Sequence, residues 1–334
     1  MTPAYLDLGM GELTMRAEEA WQRLSHCTLC PRECGVNRMA GEMGACRTAS
    51  LARLHGGSPH HGEESVLVGQ GGSGTIFFAG CNLDCLYCQN HEISHAMDDR
   101  GLTVSSIGDI PDPDSWRYAE VKEGVGIWKT TPRWAESPEY VARLMMGLQA
   151  VGCENINFVS PSHVVPQILA ALVLAADRGL HLPLVYNTGG YDALETLYLL
   201  DGIIDIYMPD FKLSSEEQAQ RYLHAADYGE RAREAIAEMH RQVGVLRCTP
   251  DGIACRGVLV RHLVMPGLLS ESAAVFSWLS EGVSRDTYVN IMGQYRPSNR
   301  VDASHYAEIN RPVSVPEMQE AFRAAREAGL WRFD

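Results

Sequence analysis

The sequence predicts an α/β protein, an incomplete TIM-like (β/α)6 barrel behind a small N-terminal cysteine-rich segment. Three observations predict it. Short apolar runs rich in β-branched and aromatic residues recur along the chain, and most are followed by an apolar-periodic stretch of helical length. That alternation gives parallel strands joined by right-handed crossovers. Six such units occur, too few for an eight-stranded closure. Seven of the ten cysteines fall in two groups, within residues 27–46 and 81–88.

The elements follow in order. TIFFAG (75–80) is the first strand, and NINFVSPS (155–162) the second, followed by the helix pattern VVPQILAALVLAADRG, which ends at Gly179. LPLVYNTGG (182–190) is the third, with YDALETLYLLDG as its helix. IIDIYMPDFK (203–212) is the fourth, followed by a polar and then helical stretch from about Ser214 to His240. GVLVRHLVMPG (257–267) is the fifth, with SAAVFSWLSEG after it, and TYVNIMGQYRP (287–297) is the sixth. SVPEMQEAFRAAREAG (314–329) closes the chain as a helix, with Ser314 as N-cap and Glu317 completing a capping box. The expected divisions are 1–70 for an N-terminal helix and cysteine-rich segment, 71–300 for the partial barrel, and 301–334 for a helical extension. HGGSPHHGEES (55–65) reads as a solvated polar loop, with His60, His61, Glu63 and Glu64 as candidate ligands or substrate contacts. An insertion at about 97–138 carries Asp-Pro clusters and Trp116, Trp128 and Trp134. So long a connection in a compact domain is usually functional or mobile. A flap from Asp98 to Trp134 over the barrel mouth is expected.

Composition removes several classes of function. The formal net charge is -14 and no Lys/Arg-rich run is present, which excludes a protein that grips the nucleic-acid backbone. No apolar run reaches transmembrane length. The N-terminus, MTPAYLDLGMGELTMRAEEAW, has acidic residues where a signal peptide is basic and then apolar. A cytoplasmic location without membrane or nucleic-acid partners is expected. Ten cysteines in a reducing compartment point to metal sites more than to disulfides.

In parallel α/β folds function collects at the C-terminal ends of the strands. Those ends carry the Cys81 loop, Ser160 to His163, Asn187 and Thr188, Asp210 and Lys212, Arg261 and His262, and Gln294 and Tyr295. The first loop, GCNLDCLYCQN, places Cys81, Cys85 and Cys88 at Cys-x3-Cys-x2-Cys spacing. Thiolates select zinc or iron–sulfur. Structural zinc wants four closed ligands, which His91 could complete. A [4Fe-4S] cluster held by three thiolates keeps one iron open to a substrate or cofactor. Gly80 allows a sharp exit from the strand, and Tyr87 is suited to stacking on a planar base.

Cys81-x3-Cys85-x-Tyr87-Cys88 resembles the signature of radical S-adenosylmethionine enzymes, in the branch similar to pyruvate formate-lyase activating enzyme. The resemblance runs from about Cys27 to the C-terminus through GSGTIFFAGCN, YCQNHEIS, NINFVSPSHVVPQI, LPLVYNTGGYD, DIYMPDFK, VLVRHLVMPG and MGQYRP. It implies a [4Fe-4S] cluster on Cys81, Cys85 and Cys88 whose open iron binds S-adenosylmethionine. Cleavage then gives methionine and a 5′-deoxyadenosyl radical that takes hydrogen from a substrate. It implies that Tyr87 lies beside the adenine, that Asp210 and Lys212 lie near the sulfonium, and that Arg261 contacts the cofactor carboxylate. It further implies a monovalent-cation site at Thr188, the Met208 carbonyl and Asp210. Asn187 stands there in place of the family's Asp. Gln294 or Tyr295 stands where the family has His. The family's Gly-Gly-Glu is here VSPSH, so Ser160 and Ser162, or backbone carbonyls, replace a carboxylate. An electron donor such as flavodoxin or ferredoxin is implied. The reaction is either glycyl-radical enzyme activation or radical modification of a protein, peptide or small-molecule substrate. The third reading, a non-catalytic iron–sulfur or zinc protein, does not account for the polar strand ends.

Cys27-x2-Cys30-x3-Cys34 and Cys46 form a separate group. Four thiolates satisfy structural zinc, or they can hold an auxiliary iron–sulfur cluster.

Overall fold

The computed structural model describes residues 2–95 and 137–334. The expected flap, Asp98 to Trp134, lies outside the described residues. The helices α1 (Ala4–Leu8) and α2 (Met10–Gln22) open the chain, followed by the cysteine-rich segment and an edge strand, β1 (Leu54–His60). After α3 (Ser65–Val68) come β2 (Ser73–Phe78), α4 (His91–Ser94) and α5 (Pro138–Ala150). Next are β3 (Asn155–Val159), α6 (Val165–Asp177), β4 (Leu184–Thr188), α7 (Leu194–Leu199) and β5 (Ile206–Pro209). Two helices, α8 (Glu216–Leu223) and α9 (Tyr228–Val243), precede the hairpin of β6 (Arg247–Cys248) and β7 (Ala254–Leu263). The chain ends with α10 (Leu269–Trp278), β8 (Tyr288–Met292), α11 (Val315–Glu327) and β9 (Arg332–Phe333).

These strands form one open sheet in the order β1-β2-β3-β4-β5-β7-β8-β9, with β6 paired to β7. The six expected strands are β2, β3, β4, β5, β7 and β8, and each pairs in parallel with the next. The edges differ from expectation. Residues 54–60, read as the start of a polar loop, are a strand antiparallel to β2. At an edge one side of the ladder is unpaired and polar residues are tolerated, so its Gly, His and Pro content disguised it. The two-residue β9 adds to the other edge in parallel with β8; it is too short to carry a periodic signal. The capping box of α11 is present, with Ser314 and Glu317 bonded reciprocally.

Side chains alternate across the sheet. Ile76, Phe78, Ile156, Phe158, Tyr186, Tyr207, Val258 and Val260 join the main core beneath the helices. Val185, Ile206, Met208 and Leu259 point to the opposite face, where Leu67 of α3 packs on them. Parity puts Asn187, Asp210, Arg261 and Asn290 on that second face, at or near the C-terminal ends of their strands. Among the described residues, no helix is long and apolar enough to cross a membrane.

Candidate active site at the strand ends

The cysteine loop leaves β2 through Gly80, whose φ is +87° and where a Cβ would overlap the Cys46 carbonyl oxygen. Only glycine fits both demands. Beyond it the Leu83 amide donates to Cys81 Sγ at 3.4 Å, and Ser94 Oγ lies 3.2 Å from Cys88 Sγ. Burial pushes the Cys81 thiol up to about 11, with the Leu83 amide and Lys212 opposing and Cys88 adding to the rise. Cys85 is pushed up further by burial, with Lys212 opposing and Cys88 and Cys81 adding. Thiols held this high keep their protons at neutral pH unless a metal replaces them.

Beside the loop lies a charged row on the α3-covered face. Asp210 bonds Lys212 Nζ at 2.5 Å through Oδ2 and Arg261 Nε at 2.8 Å through Oδ1. Burial by itself would raise the Asp210 carboxyl; the Arg261 and Lys212 charges offset this and hold it below its ordinary value. Arg261 Nη2 donates to Asn187 Oδ1 at 2.7 Å. The sheet register aligns these groups, since Asp210 bridges Arg261 and Arg261 pairs with Asn290. From inside, Glu64 is 5% exposed and accepts from Asn290 Nδ2 at 3.0 Å, with Arg261 Nη1 4.0 Å away. Its second oxygen is buried without a hydrogen-bond partner among the described residues. Burial pushes the neighbouring Glu63 up to about 7, against Arg261 and reinforced by Glu64. Three carboxylates thus face two cations, and proton uptake by Glu63 relieves the surplus. The reading of 55–65 as a solvated loop is corrected here: α3 anchors through Leu67 on the sheet, and of the two glutamates just before it Glu64 is buried and Glu63 half-buried.

The other expected positions divide. Thr188 Oγ1 donates to Asp192 at 2.6 Å and lies 3.0 Å from Ser162 Oγ. Asp192 also accepts from Tyr186 at 2.9 Å, so the Ser162 and Thr188 hydroxyls are engaged in a buried network. Ser160 takes a left-handed φ of 58° at the end of β3. The Met208 side chain is buried against α3. Tyr87 is 4% exposed and packs edge-on against Tyr295 at 6.0 Å. Gln294 is exposed, and its carbonyl accepts from Gln89 of the cysteine loop. Sequence reasoning named Glu63 and Glu64 as candidates but set them in a solvated loop, and it missed Asn290, Asp192 and Tyr228. The Tyr228 hydroxyl lies 2.9 Å from Gly189 O, 3.0 Å from Asp210 O and 2.9 Å from the Lys212 amide, joining two strand-end loops. Period-two parity from Arg261 across β8 could have flagged Asn290; nothing local marks Tyr228.

Cys27, Cys30, Cys34 and Cys46 come together around one small cavity behind the Cys81 loop. Among the described residues, no three or more His, Cys, Asp or Glu are gathered closely enough to hold a single metal ion.

No family model matches the chain. A Methanocaldococcus jannaschii protein, "Uncharacterized protein MJ0674", is 28% identical over 319 residues, 95% of this chain and 79% of the relative. Two crystal structures of Streptococcus suis SuiB, the first bound to the precursor peptide SuiA, align with TM-scores of 0.42 and 0.41 at 9% and 12% identity. They cover 74% and 77% of this chain, which spans 43% and 47% of the SuiB chains. Similarity this remote leaves the chemistry to be read from the residues.

Proposed function

We propose that the chain is a radical S-adenosylmethionine enzyme. One observation carries the reading: three thiols of a single loop leave the C-terminal end of the first parallel strand, beside the Asp210–Lys212–Arg261 row. The donor set fits a [4Fe-4S] cluster with one open iron better than a closed zinc site. With S-adenosylmethionine bound there, the cluster supplies reductive cleavage to methionine and a 5′-deoxyadenosyl radical.

The chain's own residues bind, orient and shield. Lys212 opposes the rise of the Cys81 and Cys85 thiols, so its charge favours their thiolate forms. Asp210 holds Lys212 and Arg261 at fixed positions, leaving the remaining guanidinium N–H groups to meet a ligand carboxylate. The buried α3-covered face excludes water from the reacting centre. With Glu63 protonated the remaining carboxylates balance Lys212 and Arg261, and the buried Glu64 oxygen without a hydrogen-bond partner among the described residues is left to accept from a donor group of a ligand.

Anaerobic reconstitution with iron and sulfide, then dithionite and S-adenosylmethionine, tests this. Formation of 5′-deoxyadenosine and methionine is expected. A yield no higher than that of the Cys81→Ala/Cys85→Ala/Cys88→Ala variant overturns it.

A further inference from the structure

We infer that a basic pocket walled by the Cys81 loop is the docking point for an acidic one-electron carrier protein, which reduces the cluster held by that loop. The need for an electron rests on the function proposed above; the pocket and its charge stand on geometry alone.

The first support is charge. Arg32, Arg47, His95 and His224 line a cavity of about 270 Å³, and Asp84 is its one carboxylate among the described residues. Asp84 is already engaged. It accepts from His95 Nε2 at 2.7 Å and from His224 Nδ1 at 2.8 Å, and Arg300 bonds it as well. The two lining arginines meet neutral groups. Arg32 donates to the carbonyls of Asn82 at 2.9 Å and His224 at 2.7 Å, and stands over the Tyr191 ring at 5.3 Å. Arg47 donates to the His95 carbonyl at 3.0 Å. These carbonyls fix both guanidinium groups without neutralising them. With Arg300, three guanidinium charges stand against one carboxylate, in a chain whose formal net charge is -14. An acidic protein is repelled by the chain as a whole and attracted here, which steers the encounter to this spot.

The second support is position. The pocket reaches the loop beside each of its three thiols. Cys81 lines it, and so does Asp84, the residue before Cys85. Ser94 lines it too, and its Oγ lies 3.2 Å from Cys88 Sγ. Asp210, Lys212 and Arg261 are not among the lining residues, so a partner seated here does not compete for the charged row at the strand ends.

Size and donor chemistry select the occupant. Small-molecule sites usually measure about 300–1,000 Å³; this cavity falls below that range and has room for a carboxylate side chain or two. The bonds above use Arg32 Nε and Nη1 and Arg47 Nη1. Arg32 Nη2 and Arg47 Nε and Nη2 are left to meet such a carboxylate, which the guanidinium fork fits. The transfer makes and breaks no covalent bond. The reduced carrier gives up one electron, and the Cys81-loop cluster goes from the 2+ to the 1+ state.

The test uses the full chain reconstituted with iron and sulfide, and reduced flavodoxin as the acidic carrier. In the Arg47→Glu/Arg300→Glu variant, reduction of the Cys81-loop cluster by flavodoxin at low salt should slow about tenfold or more. Photoreduced deazaflavin, a small reductant that needs no docking, should reduce both chains at one rate. Added salt should slow flavodoxin with the unaltered chain and change little with the variant. An unchanged flavodoxin rate in the variant overturns the docking. If the variant fails to hold iron, the unaltered chain decides: flavodoxin should protect the amides of residues 45–47 and 81–95 from hydrogen exchange. No protection, or the same protection from inorganic phosphate alone, overturns the docking. If docking fails while the deazaflavin-reduced chain makes 5′-deoxyadenosine, the proposed function stands without it. If flavodoxin docks in this charge-dependent way and neither reductant yields 5′-deoxyadenosine, the docking stands and the proposed function fails.

Discussion

Replacing Asp210 with Asn keeps the shape of the side chain and removes one charge from the centre of the site. The carboxylate touches Lys212 at 2.5 Å and Arg261 at 2.8 Å, and all three side chains are at most 19% exposed. Removing one member of a buried charged set costs about 3–5 kcal/mol, because its partners stay buried without compensation. The low end, about 3 kcal/mol, is expected, since Arg261 keeps Asn187 and has Glu64 at 4.0 Å. Lys212 supplies most of the loss. The assay is the urea midpoint at neutral pH beside Glu139→Gln, which breaks an ion pair with Arg178 whose partners are 45% and 42% exposed. Screening by water limits that pair to about 0.2–1 kcal/mol. The Asp210 carboxyl is held below 3.8 in the folded state. Its contribution is therefore present above the unfolded value and lost as pH falls through the folded one. The gap between the unaltered chain and the variant should close in strong acid. A cost no larger than that of Glu139→Gln would refute the buried charged row.

Glu63→Gln tests the surplus of negative charge. Burial raises Glu63 from 4.5 to about 7, so the folded protein binds a proton that the unfolded chain has released. That stability is present below 4.5 and lost as pH rises through 7, at most about 3 kcal/mol for a shift of this size. The variant should flatten this part of the pH profile of the urea midpoint; an identical slope would mean that Glu63 faces solvent. Gly80→Ala tests the joint between the two cysteine groups. The positive φ costs roughly 1–2 kcal/mol, and overlap with the Cys46 carbonyl adds to it. Lowered iron content at the Cys81 loop should accompany the lost stability, and full iron with an unshifted midpoint would show that the backbone there yields freely.

Much of this was legible where the signal is local. The six parallel strands read through because each carries its own β-branched run between turn residues. Ser314 and Glu317 form their box through bonds three residues apart. Cys81, Cys85 and Cys88 reach one locus from a single loop, so their spacing alone suggested their chemistry. Parity within each strand already said which of Asn187, Asp210 and Arg261 share a face, though not which neighbours they meet.

Other features required the assembled molecule. Strand β1 has no apolar signature, because an edge strand is defined by the neighbour it pairs with. Glu64 and Arg261 are brought together by the packing of Leu67 against Val185, Ile206 and Leu259, contacts between segments far apart in the chain. The four N-terminal cysteines read equally as zinc or cluster from spacing. What only the folded chain adds is that the fully buried Arg38 lines the cavity they share. Residue type and short-range spacing determined the strands, the cap and the three-thiol loop, because those interactions close within a few residues. Charge balance and protonation were decided by tertiary structure, because each depends on how much water packing removes and on which distant charges it brings within reach.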